Sequence, residues 1–436
     1  MKYAIHIASI VATASVVACS TSTTTSPSDG KTPVETVRSS LARETTPLLT
    51  PVELDTLASD EASFAVDLYH AVSAAPENAG RNVFISPHSV SAALAMTYAG
   101  AHGDTRDEMK KALHFGLPDD GLHRGFDYLD LALNSRQHGQ GKDGRLFTLR
   151  IANSVWSQKS YAFQAPFLDT LAVDYGAGVN VVDFTRAPND ARVTINGWAS
   201  DNTDGRIRDL MPDGSIDALT RLVLVNAVYF SAAWQTKFTD GATAPAAFTT
   251  LDASVVQTSM MHAEIDAGYV KGDGYEAIEL PYDGGDTALL VIAPTTGSFA
   301  SFDAALTGAK VLDVLEGLRS TPVELSFPKA KLTGSYPLKA PLESLGMKAA
   351  FDGGDFSGIS TSDRLAIGGV FHQTSLDLDE GGTEAAAATG VEVGLVSSES
   401  LPVHFVPMTV DRPYVIAIVD RATKTLLFMG RIVDPR

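Results

Sequence analysis

The chain has 436 residues, 44% of them hydrophobic and 19% charged, with a formal net charge of −19. That length suits two or three ordinary domains or one large mixed α/β domain. The acidity, offset by no run of five or more Lys/Arg, excludes nucleic acid, heparin-like polyanions and anionic membrane surfaces as partners. The single cysteine, Cys19, excludes intramolecular disulfides and thiolate metal sites.

Residues 1–18 (MKYAIHIASIVATASVVA) place Lys2 before a short apolar stretch rich in Ala, Ser and Thr. That reads as an export signal, too short for a membrane-spanning helix. The quartet Val16-Val17-Ala18-Cys19 resembles a bacterial lipobox, which implies lipidation of the Cys19 sulfur and cleavage before it. Ordinary cleavage after Ala18 is the alternative. Ser20, in place of Asp, implies sorting to the outer membrane. The expectation is an exported outer-membrane lipoprotein on the periplasmic or cell-surface side, or otherwise a secreted protein. Residues 20–50 hold 15 Ser/Thr together with Pro27, Pro33 and Pro47. This composition buries little, so 19–56 is expected to be a flexible tether and 57–436 the folded unit.

Phe64, Leu68, Tyr69 and Val72 recur at helical spacing and predict a helix over 60–74. A second helix starts at Ser86-Pro87, with Ser as N-cap and Pro at the first position, and ends near Gly100. Thr105-Arg106-Asp107-Glu108 reads as a capping box for a third. Residues 148–156 read as a strand, and Ile195 to Ala199 as part of a helix. The apolar run 222–230 (LVLVNAVYF) suits a strand covered on both faces, in which Asn226 needs a polar partner. Residues 371–379 read as a strand with Phe371, Leu376 and Leu378 inside and Gln373, Asp377 and Asp379 outside. Two strands, 413–419 and 425–432, close the chain around a turn at 420–423.

Enzyme signatures are missing: no Gly-rich phosphate loop, HExxH, GxSxG elbow or Cys/His cluster occurs. Ser86-Pro87-His88-Ser89 reads as a helix cap, because adjacent Ser and His on one turn do not face each other as a triad requires. The segment 380–390 (EGGTEAAAATG) gives no single local answer. Its four alanines suit a helix, the following 391–396 alternates like a strand, and a solvated low-complexity loop is the bland alternative. Small side chains are also what a segment needs in order to slide into a packed sheet.

These residues, taken in order, resemble the serpin family. The resemblance rests on Asn82-Val83-Phe84-Ile85-Ser86-Pro87, Ile195-Asn196-Gly197-Trp198, Thr203 and Gly205-Arg206-Ile207. It continues through Val225-Asn226-Ala227-Val228-Tyr229-Phe230, Trp234, Phe238, Glu279-Leu280-Pro281-Tyr282 and Phe327-Pro328-Lys329. Leu345-Gly346-Met347, Asp355-Phe356-Ser357-Gly358, the EGGTEAAAAT stretch, Asp411-Arg412-Pro413-Tyr414 and Phe428-Met429-Gly430-Arg431 complete it. It implies a mixed α/β serpin fold, with about nine helices, three β-sheets and an exposed reactive-centre loop at about 380–410.

By the same resemblance the chain is an inhibitor rather than an enzyme, a suicide substrate of serine proteases. The cleaved loop enters the main sheet as a new strand and the covalent acyl-enzyme is trapped. The hinge is Glu380, Gly381, Gly382, Thr383, Glu384, Ala385, Ala386, Ala387, Ala388 and Thr389, with Thr383, Ala385, Ala387 and Thr389 turned toward one face. Gly381 stands where a charged residue is more usual. The scissile bond sixteen residues beyond Glu380 is Val396-Ser397, which suits elastase-like proteases. Leu395-Val396 would favour chymotrypsin-like ones, and Leu401 is a third choice. Ser86, Ser89, Asn226 and His372 match the polar cluster beneath the opening sheet, the shutter. Trp234, Lys329 and Glu380 match the point of loop entry, the breach, with Lys329 and Glu380 as an ion pair. The resemblance implies a monomer with no cofactor, no metal and no heparin, bound to membrane only through the lipid on Cys19. The alternatives are a non-inhibitory serpin acting as protease substrate, binder or chaperone, and an unrelated hydrolase.

Overall fold

The computed structural model describes residues 22–25, 32–136, 147–362, 364–383 and 404–436. In chain order, β1 (Ser22–Thr25) and β2 (Glu35–Arg38) precede the long helix α1 (Pro51–Ser73). Strand β3 (Val83–Ile85) leads into α2 (Pro87–Tyr98), α3 (Gly103–Ala112) and α4 (Asp119–Ser135). Next come β4 (Thr148–Gln158), α5 (Ala165–Tyr175), β5 (Val179–Val182), α6 (Pro188–Asn202) and β6 (Leu222–Ala233). Strands β7 (Ala244–Thr249), β8 (Val255–Gly272), β9 (Tyr275–Pro281) and β10 (Thr287–Pro294) are followed by α7 (Phe299–Ala304) and α8 (Gly308–Gly317). Then follow β11 (Arg319–Pro328), β12 (Ala330–Pro337), α9 (Lys339–Ser344) and β13 (Ile367–Asp379). The chain closes with β14 (Gly382–Thr383), β15 (Val406–Thr409), β16 (Tyr414–Asp420) and β17 (Thr425–Ile432).

The strands form two hydrogen-bonded sheets. The first runs β1-β2-β5-β4-β6-β14-β13-β12, and the second β15-β11-β8-β9-β10-β16-β17-β3 with β7 beside β8. The long β8 pairs with β7 at its start, with β11 from Met260 to Tyr269 and with β9 at its end, so it joins into one network what would otherwise be two sheets. Apolar side chains of both sheets meet in a core that includes Phe230, Leu376 and Leu378 from the first and Ile278, Leu289 and Phe428 from the second. Helix α6 lies over the other face of the first sheet, where Ile195 and Ala199 pack against Val223, Val225 and Ala227. The continuous apolar run of β6 follows from this double covering.

Tertiary contacts override several local readings. Helix α1 starts at Pro51, because Thr50 and Glu53 form a capping box that the apolar spacing further along does not reveal. Ser86 precedes α2, but its hydroxyl donates to the Leu427 carbonyl at 2.6 Å instead of capping the helix. Helix α3 begins at Gly103, so Thr105 and Glu108 lie inside it. The Thr105 hydroxyl accepts from Asp355 N–H, and the Glu108 carboxylate accepts from Lys348 and Ala349 N–H. In β13 the buried row is His372, Thr374, Leu376 and Leu378, so Phe371 belongs to the opposite row and packs on the α6 side.

The expected tether is also corrected, over 32–56. β2 adds a strand to the first sheet by pairing with β5. Gly178 makes this approach feasible, since a Cβ there would stand 2.7 Å from the Val37 carbonyl oxygen. Ser39 donates to Asp169 on α5, and Arg43 donates to Asp127 (2.8 Å) and Asp130 (2.6 Å) on α4. Polar composition alone is silent about such pairing, because the sheet edge that receives the segment lies over a hundred residues away. Asp127 is fully buried and Asp130 is 42% exposed. Arg43→Met therefore strands a buried carboxylate and lowers stability in urea denaturation by about 3 kcal/mol. Asp130→Asn, on the wet side of the clamp, changes it by less than about 1 kcal/mol.

Candidate functional site

The centre of the first sheet is a parallel ladder between β6 and β13, which runs from Leu222 opposite Ile367 to Val228 opposite Thr374 and then ends. Near its upper end, two residues short of where it stops, the ladder is tied by polar side chains. Asn226 on β6 and His372 on β13 are directly opposite and hydrogen-bonded, with Nδ1–H of the imidazole donating to the amide oxygen. The other ring nitrogen, Nε2, accepts from Ser86 N–H at 2.9 Å, which settles the tautomer. The Asn226 amide donates to Ser89 and, at 2.6 Å, to Asn153, and Ser89 donates to Asn153 at 2.7 Å. All of Ser86, Ser89, Asn226 and His372 are buried. Burial pushes the imidazole of His372 down to about 3, so it is neutral and one ring nitrogen stays free to accept.

Above Thr374 and Val228 the two strands part, and the chain returns between them. β14 pairs antiparallel with both neighbours: Thr383 stands opposite Leu378 and Ala232, Gly382 opposite Asp379 and Ala233. Gly382 has φ +153°, and a Cβ there would lie 2.1 Å from the Ala232 carbonyl oxygen, so only glycine fits. The turn before it is held on all sides. Trp234 indole N–H donates to the Asp379 carbonyl at 2.8 Å, and Trp234 and Phe238 N–H donate to Gly381 and Glu380. The Asp379 carboxylate accepts from Gly381 and Gly382 N–H. Lys329 and Glu380 form an ion pair at 2.6 Å, and Thr243 donates to the same carboxylate. Burial opposes ionisation of Glu380, but these two partners outweigh it and hold the carboxyl below its usual value. Thr383 is buried, and its hydroxyl shares a 2.8 Å hydrogen bond with that of Tyr282. The Tyr282 ring stacks on Trp234 (4.7 Å, 11°) and meets Phe230 edge-on.

The structure thus gathers Ser86, Ser89, Asn226 and His372 at one level, and Trp234, Lys329, Glu380, Gly381, Gly382 and Thr383 at another. Glu384 to Thr389, Leu395, Val396, Ser397, Leu401 and Cys19 lie outside the described residues. Asn153, Thr243 and Tyr282 are members that the sequence reading missed. Asn153 had a signal, since it interrupts an apolar strand as Asn226 does and pairs opposite it. Tyr282 stood in the Glu279-Leu280-Pro281-Tyr282 motif without an assigned role, and Thr243 carries no local signal. Among the described residues no group of three or more His, Cys, Asp or Glu is arranged to hold a metal ion.

A family model described as serpin (serine protease inhibitor) matches residues 59–435. An uncharacterised serpin-like protein of Thermococcus kodakarensis is 38% identical, with 86% of this chain and 84% of that protein aligned. The leukocyte elastase inhibitor of Bos taurus is 37% identical over 88% of this chain and all of its own. Among solved structures, the native state of the thermophilic serpin tengpin superposes with a TM-score of 0.78 at 27% identity, covering 90% of this chain and 97% of that one.

The buried imidazole gives a pH dependence. An unfolded histidine titrates near 6.5. Below that pH the unfolded chain takes a proton that folded His372 refuses until about 3. Its contribution to stability is therefore complete above pH 6.5 and is lost as pH falls toward 3. His123, pushed down to about 4 by burial, acts in the same sense. Urea denaturation of His372→Gln between pH 7 and 4 should show an average slope shallower than the parent's by about 1 kcal/mol per pH unit.

Proposed function

The chain belongs to the serpin family, and we propose that it is an inhibitory member that traps serine proteases as a suicide substrate. The observation that carries this reading is β14. A strand already starts between β6 and β13, antiparallel to both, with the ladder beyond it still closed. Continuing its register, residue 385 falls level with Leu376 and Phe230, 387 with Thr374 and Val228, and 389 with His372 and Asn226. These neighbours form the buried rows of both strands. Ala385 and Ala387 are small enough for that row. Thr389 brings a hydroxyl to the level where the His372–Asn226 bond must break, and so takes up the hydrogen-bonding capacity it frees. Glu384, Ala386 and Ala388 face the other way.

The sequence of events follows from this register. The protease serine attacks the carbonyl carbon of Val396, forms an ester with it and releases the amine of Ser397. Freed from its far end, the hinge strand enters, the ladder opens and each new level adds backbone hydrogen bonds worth about 1 kcal/mol net. The drive is a strand that the native sheet lacks, so trapping is kinetic. Valine before the cut favours elastase-like targets, which accords with the bovine relative's name. Leu395 as the cut position would favour chymotrypsin-like ones. We further propose that Cys19 carries lipid and holds the inhibitor at a bacterial outer membrane.

Incubation with neutrophil elastase should give a covalent complex that survives denaturing electrophoresis. Loop cleavage that leaves fully active protease would overturn the reading. Thr383→Arg, which cannot bury its charge in the row of Leu378 and Ala232, should turn inhibitor into substrate with at least a tenfold rise in stoichiometry of inhibition. Metabolic labelling with a palmitate analogue should mark the parent and not Cys19→Ala; equal labelling of both rules out lipid on Cys19.

A further inference from the structure

We propose that Tyr282 is a positioning residue that sets the register of the inserting strand through the hydroxyl of Thr383. This rests on the insertion reading above and concerns which residues the insertion places inside. The backbone bonds around the turn, from Trp234, Phe238 and Asp379, recognise no side chain of the entering strand. Steric selection in the turn acts at the site of Gly382, where a Cβ would strike the Ala232 carbonyl. Here that selection is ambiguous, because Gly381 precedes Gly382 and either glycine satisfies it. A slip that seats Gly381 in the place of Gly382 would carry every later residue one position down the sheet. Since side chains alternate, it would also exchange the two faces. Glu384 would then enter the buried row beside Leu376 and Phe230, and the small residues would turn to the α6 side.

At the first buried level one contact tells the two registers apart, in addition to the grip of Lys329 and Thr243 on Glu380 in the turn. In the observed register the first buried side chain is Thr383, and its hydroxyl meets that of Tyr282 at 2.8 Å inside the core. In the slipped register glycine takes that place, and the Tyr282 hydroxyl is left buried with no partner from the hinge. Burial holds the phenol well above its usual titration range, so it stays protonated. The ring is fixed by stacking on Trp234 and by its edge contact with Phe230, so the hydroxyl cannot swing to a second acceptor without breaking that packing.

The experiment compares the parent with Tyr282→Phe, Tyr282→Phe/Thr383→Val and Tyr282→Phe/Gly381→Ala. Stoichiometry of inhibition and second-order association rate are measured with neutrophil elastase. The thermal midpoint is measured before and after cleavage of the loop. Tyr282→Phe should at least double the stoichiometry while the association rate stays within twofold, because register acts after the loop is cut. Its cleaved form should melt lower than the cleaved parent. The Tyr282→Phe/Thr383→Val pair leaves no orphaned hydroxyl and recovers native stability, yet keeps the raised stoichiometry. The Gly381→Ala addition makes the slipped register collide with Ala232 and restores parental stoichiometry. Recovery of stoichiometry in step with native stability in the Thr383→Val pair would overturn the assignment, as would no rise in Tyr282→Phe. If elastase forms no complex with the parent, the cleaved midpoints decide. A parent that gains no stability on cleavage sinks insertion itself and this inference with it. Equal gains in parent and Tyr282→Phe sink the register role alone.

Discussion

The parallel ladder between β6 and β13 is the constraint on which the molecule depends. Among the described residues it is the only direct pairing between the two halves of the first sheet, and it stops at Val228 and Thr374 while both strands run on. A sheet whose two central strands part in this way has room for another strand at the cost of opening the part that is still paired. The long apolar run of β6, the helix α6 across one face and the second sheet across the other all hold that arrangement without filling it.

Polar groups do the selecting within this apolar frame. Asn226 and His372 bridge the two halves at one level, and each has further partners, Asn153 and Ser89 for the amide and Ser86 for the imidazole. Besides its backbone pairing, parting the ladder breaks the side-chain bond between His372 and Asn226. At the top, Asp379, Trp234 and Phe238 satisfy the backbone of the turn that starts β14. Such satisfied but breakable polar contacts suit a sheet that must be specific when closed and still open.

The segment before α1 adds a second restraint on the half of the sheet that carries β4 and β5. It continues the sheet through β2, and through Arg43 it reaches α4, so strand, helix and leading segment are tied together. The buried Asp127 makes this docking definite, because a carboxylate without exposure needs its guanidinium.

Much of the fold was legible in order along the chain. The helix after Ser86, the apolar strand with a buried asparagine and the closing pair of strands are local patterns of period 3.6 or 2. Ordered motifs carried the family, and the resemblance, not the local pattern, marked the EGGTEAAAAT stretch as a hinge. What the sequence left open is what depends on distant partners. Thr105 and Glu108 have the spacing of a capping box but serve the loop after α9, because better donors reach them from there. Phe371 lies on the face opposite to its apolar reading, because His372 and Thr374 find polar partners in the core and set the alternation of β13. A Ser/Thr-rich leader reads as a tether until a free strand edge and a buried aspartate are known to await it. Residue type and spacing therefore determined the elements and the family. Register, the face each strand buries and the docking of the leading segment were decided by tertiary structure, because hydrogen-bond partners far apart in sequence compete for the same groups and only the folded chain brings them within reach.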